Sequence, residues 1–135
     1  MKKYPLSWFI FLVIVILSLM PIPETPLSDV RFIDKWTHVV MYFGQAITIW
    51  YEYLRQHGLR FSPRPHGLRR QEVSRRTLGV IALAYPILLG GVLEVVQETC
   101  THHMRSGDWL DFLADAVGAL LAWCVGRWVV RLVKE

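Results

Sequence analysis

Apolar residues along this chain gather into four blocks, separated by Pro-, Gly- or charge-rich stretches. They predict helices over about residues 6–22, 34–54, 77–98 and 109–131, with a basic loop over 55–76. Each block falls in the range of about 17–25 residues that spans a bilayer. The first follows Met1-Lys2-Lys3, and Pro21 and Pro23 close it. A basic start before a short apolar run also describes a secretory signal peptide. Met20-Pro21-Ile22-Pro23 offers no small-x-small cleavage site, so a retained helix is expected. Pro5 suits a first helical turn.

The polar positions are patterned too. In the second block Asp34, His38, Gln45, Thr48 and Glu52 recur at three-, four- or seven-residue spacing and share one helix face. The other face, with Val39, Val40, Phe43, Ile47 and Trp50, is left to meet lipid or other helices. In the third block Ala82, Pro86, Gly90 and Glu94 fall four apart, a narrow face leading up to an acid. The fourth carries Ala114, Gly118, Ala122 and Gly126, again four apart. Small residues at that spacing let membrane helices approach closely.

Composition agrees with this reading: 53% of residues are hydrophobic and six are tryptophan. The net charge of +4 raises the question of a nucleic-acid partner, and its placement answers it. Residues 55–76 hold seven arginines and one acid, with two Gly and two Pro. Such a run is a solvated loop and a positive-inside signal, compatible with a contact to anionic lipid. Four spans would place Lys2, Lys3, those arginines, Arg127, Arg131 and Lys134 on one side. The positive-inside rule makes that side cytoplasmic. The expected architecture is therefore a single all-α domain, residues 1–135. It is an integral membrane four-helix bundle of the bacterial cytoplasmic membrane with both termini inside, whose partner is the bilayer and not nucleic acid. Cys100 and Cys124 fall at different expected depths, so no disulfide is expected.

The remaining charges converge at the outer face. The second helix begins there with Asp34, Lys35 and His38, and the third ends there with Glu94, Gln97 and Glu98. The turn between the last two helices adds His102, His103 and Arg105, and the fourth helix enters with Asp108, Asp111 and Asp115. At ~1.5 Å per residue, Asp115 lies about 9 Å below the helix start at Trp109. A charge at a membrane-helix centre costs about 2.5–3.5 kcal/mol on insertion scales, so pairing or a ligand is required. Bland readings compete for several members. Ser106 or Asp108 can cap the fourth helix, Asp34 and Lys35 can be interfacial, and His102 and His103 can be solvated loop residues. Glu94 and Asp115 resist such readings, because they sit inside apolar blocks.

Chemically, His38, Glu94 and Asp111 are the candidate catalytic groups, with His38 as an acid or base. Arg105 and Lys35 suit a phosphate or carboxylate. His with Asp or Glu can ligate a divalent metal, but no compact motif such as H-E-x-x-H is present, so neither metal nor cofactor is expected. No Gly-rich phosphate loop and no G-x-S-x-G elbow occurs.

The order Asp34-Lys35-x-x-His38-x-x-x-Tyr42-Phe43, then Glu94-x-x-Gln97, Arg105, Asp108-Trp109-Leu110-Asp111 and Gly118 resembles the VanZ-like membrane proteins. The resemblance runs roughly from Ile33 to Gly126. It implies an extracytoplasmic polar pocket formed by Asp34, Lys35, His38, Tyr42, Glu94, Gln97, Arg105, Asp108, Asp111 and Asp115. It also implies a link to resistance against the lipoglycopeptide teicoplanin. Where the family usually has Asn, four residues after the helix-entry Asp, this chain has Asp115, which adds a negative charge to the site. The expected ligand is an envelope lipid head group or a peptidoglycan precursor. The alternatives are a small membrane enzyme acting on a lipid-linked phosphate or ester, and a proton-linked carrier subunit.

Overall fold

A computed structural model describes residues 4–20, 33–56, 75–100 and 109–132, and every described segment is helical. Helix α1 is Pro5–Leu19 and α2 is Ile33–Gln56. Helix α3 runs unbroken over residues 75–100, and α4 is Trp109–Leu132. Two stretches, Thr77–Thr99 in α3 and Trp109–Arg131 in α4, are long and apolar enough to cross a membrane. Helix α1 is apolar but has only 15 residues. It ends at Leu19, short of the expected residue 22, because Met20 precedes Pro21. The residue before a proline is pushed out of the helical region, and Met20 is extended at ψ 137°. Helix α2 has the length, 24 residues, but carries the polar stripe along its buried side.

The helices alternate in direction. Glu52, late in α2, meets the start of α1, so that pair is antiparallel. Gln97, late in α3, meets Ser18 at the end of α1, so α1 and α3 are parallel. Helices α2 and α4 are also parallel, joined near their starts by Lys35 and Asp111 and near their ends by Trp50 and Trp123. This last pair is the most extensive packing in the structure. Its closeness has a cause in the small-residue face. A Cβ at Gly118 would collide with the Val39 carbonyl oxygen, and one at Gly126 with the Trp50 ring. Ala119 and Ala122 are buried beside them against Ala46.

Helix α3 contains one wide turn. Residues Val80–Ala84 form a π segment, and the Tyr85 N–H donates to the Val80 carbonyl five residues back. Pro86 follows directly; it lacks an N–H for the carbonyl of Ala82 and its ring crowds that oxygen. A π turn at this point is one way a helix absorbs such a defect.

Polarity is distributed inside-out. Side chains buried in the bundle include His38, Gln45, Glu52, Glu94, Gln97, Asp111 and Asp115. The outer surface carries Phe9, Leu12, Val40, Leu88, Val92, Val117, Leu120 and Trp128, from all four helices. Water-soluble monomers rarely expose so many large apolar side chains.

Gly118→Leu should therefore separate α2 from α4, with overpacking that typically costs about 1–3 kcal/mol or more where backbone is hit. Leu120→Ala, on the outer surface, should cost much less. Thermal unfolding of the two purified variants in detergent measures the difference, and equal losses would contradict the packing.

Candidate functional site

Two turns of α2 and two of α4 carry the core of the site. Residues four apart stack on one helix face, so Asp34 and His38 line up in α2, as do Asp111 and Asp115 in α4. The parallel packing lays one pair against the other. Lys35 Nζ contacts Asp111 Oδ1 at 2.5 Å. One turn deeper, His38 Nδ1 lies 2.8 Å from Asp115 Oδ1. An ionised carboxylate only accepts, so this bond requires the proton on Nδ1. The other ring nitrogen, Nε2, is 4.0 Å from Asp111 Oδ2.

The third wall is α3. Asp115 Oδ2 rests against Gly90, where a Cβ would overlap it. Glu94 is one turn further along the same face of α3. His38, Glu94 and Asp115 present ligand-type atoms all within 4.8 Å of one another, and so do Asp34, His38 and Asp111. The inner group is the more enclosed, with Asp115 only 1% and His38 3% exposed. Asp34 and Lys35 are partly exposed and form a rim. Tyr42, buried one turn below His38, holds its ring parallel to the imidazole at 6.5 Å between centroids.

Of the sequence-derived candidates, the structure thus brings together Asp34, Lys35, His38, Tyr42, Glu94, Asp111 and Asp115. Gln97 has a different task. Its Nε2 donates to the Ser18 carbonyl at 2.7 Å, tying down the end of α1. Arg105 and Asp108 lie outside the described residues, as do His102, His103 and Ser106. The partner that Asp111 shows is Lys35.

Sequence reasoning missed the polar contacts of α1. Leu6 N–H and Ser7 N–H donate to the Glu52 carboxylate at 2.9 and 3.0 Å, and the Ser7 hydroxyl donates to it at 2.6 Å. Glu52 thereby caps α1 from another helix. The signal was available, because Tyr4 at the cap position supplies no side-chain hydrogen bond. Orphaned N–H groups at a buried helix start require an acceptor from elsewhere. Gln45 belongs to the same contact, donating to the Ser7 carbonyl at 3.3 Å. Thr48, also on the stripe, bonds back to the Gly44 carbonyl of its own helix.

A cavity of about 400 Å³ lies away from the charge cluster, between α1, α2 and the π segment. Trp8, Phe11, Ile49, Val80 and Tyr85 line it, a surface suited to hydrocarbon and not to polar chemistry.

Comparison with protein-family models, curated proteins and solved structures gave no match.

Removing one member of the inner pair should leave the other buried and uncompensated, a loss of typically about 3–5 kcal/mol. Asp115→Ala and His38→Leu should each destabilise the bundle by that order. The double variant should cost clearly less than the two together, since replacing a buried pair by apolar groups is often near neutral. A double-mutant cycle from denaturation in detergent reads the coupling, and simple additivity would mean the two groups do not interact.

Proposed function

We propose that the chain is a VanZ-like protein that crosses the bacterial cytoplasmic membrane four times, with both termini inside and the charge cluster at the outer end. It would bind an envelope lipid head group or a peptidoglycan precursor there, and so lower susceptibility to teicoplanin-type lipoglycopeptides. One observation carries the reading: ionisable side chains from three helices are buried together in a bundle whose outside is apolar. Ionisable groups inside membrane segments face the bundle interior and commonly mark sites of function. The rim supports the choice of ligand. Lys35 and Asp34 are the partly exposed members, and an ammonium beside a carboxylate suits a head group carrying both signs of charge.

The enzyme reading also has an observation in its favour. Asp115 orients His38 through Nδ1, which leaves Nε2 directed toward Asp111 and the rim. A base held by a carboxylate is the arrangement acid–base catalysis uses.

Expression in a susceptible host discriminates between these readings when combined with mass spectrometry of lipids that copurify with the chain. The binding reading expects a raised teicoplanin threshold, a copurified lipid-linked phosphate, and loss of both in Lys35→Ala. An enzyme should keep the lipid and lose its effect in His38→Gln. An unchanged threshold with no bound lipid would contradict the proposal.

A further inference from the structure

We propose that His38, Glu94 and Asp115 form a binding site for a divalent transition-metal ion, with one ligand from each of α2, α3 and α4. The inference stands independently of the resistance reading. Its basis is the convergence of one imidazole nitrogen and two carboxylate oxygens within 4.8 Å of one another, all three residues buried. Zinc-type bonds of about 2.0–2.2 Å place ligand atoms roughly 3.3–3.6 Å apart in a tetrahedral site. A contraction on the order of 1 Å, within the range of side-chain torsion, would close the set on an ion.

A second observation points the same way. Asp115 Oδ2 is fully buried and has no hydrogen-bond partner. Buried carboxylate oxygens are nearly always satisfied, so one left over needs an explanation. It lies against Gly90, one turn from Glu94 on the same face of α3. The missing side chain at residue 90 is what allows the carboxylate to reach that helix.

Charge favours the inner group over the outer one. Asp34, His38 and Asp111 also converge, but the Lys35 ammonium already sits on Asp111. In the inner group Asp115 Oδ2 faces no ammonium or hydrogen-bond donor among the described residues, and a dication would satisfy it. With the ion in place of the Nδ1 proton, the imidazole carries its proton on Nε2, which faces Asp111 Oδ2 4.0 Å away. Metal-bound histidines usually have such an orienting partner. A mixed imidazole–carboxylate set suits Zn2+, Mn2+ or Fe2+ better than Mg2+. No local motif advertises the site, because its ligands come from three helices.

The test uses the full chain, purified in detergent and stripped with a chelator, then titrated with Zn2+ and with Mn2+. One ion per chain is expected. His38→Ala and Asp115→Asn should abolish saturable binding, Asp111→Asn should weaken it about 10- to 100-fold, and Glu98→Gln, an exposed carboxylate one turn away, should leave it unchanged. Pulsed electron paramagnetic resonance of the unmutated chain with Mn2+ should show coupling to one imidazole nitrogen, a readout that survives misfolding of any variant. Absence of stoichiometric uptake, Mn2+ bound without that nitrogen coupling, or equal weakening by Glu98→Gln would overturn the site.

Discussion

The burial of His38 against Asp115 is the constraint on which the rest of the structure depends. A histidine and an aspartate taken out of water lose several kcal/mol of hydration each, and only close mutual contact recovers it. Contact at 2.8 Å demands that α2 and α4 run side by side in register. Gly118 and Gly126, with Ala119 and Ala122 between them, supply that proximity by removing the side chains that would hold the helices apart. Gly90 does the same on α3, letting Asp115 touch it. Three helices are thus placed by one polar contact and the small residues around it. The apolar side chains displaced outward by this arrangement form the exterior.

Helix α1 is held differently. With 15 residues and no local cap, it depends on α2 and α3 for its ends: Glu52 takes its first N–H groups and Gln97 one of its last carbonyls. Its sides are apolar and largely exposed. Polar groups therefore do two separate jobs in this bundle. Those near the starts of α2 and α4 make the candidate site, and those further along fasten the first helix.

Much of this was legible in the sequence, for identifiable reasons. Helical periodicity placed Asp34, His38, Gln45 and Glu52 on one face, and the four-residue spacing of small side chains marked the α4 seam, because both patterns are local. Which acid meets which cation was not legible. Lys35 contacts Asp111 from a helix more than 70 residues away in sequence. Pairing across helices depends on register, and register is not written in either segment alone. The π turn before Pro86 was not legible beyond the presence of a proline inside the third apolar block. Helix α1 stops at Leu19, before the expected residue 22, because Pro21 forces Met20 out of the helical region. The convergence of His38, Glu94 and Asp115 combines three segments, none of which resembles a metal motif on its own.

The central claim is that the described helices form an inside-out bundle, with charged side chains at its core and large apolar side chains on the outside of each helix. Nitroxide spin labels at Leu12, Val40, Leu88 and Val117, one on each helix, test it most directly in reconstituted bilayers. Power saturation compares collisions with oxygen, which concentrates in lipid, against those with a water-soluble nickel chelate. The account predicts that oxygen dominates at all four positions. Dominance of the nickel chelate at Leu12 or Val40 would contradict it, by showing that α1 or α2 faces water.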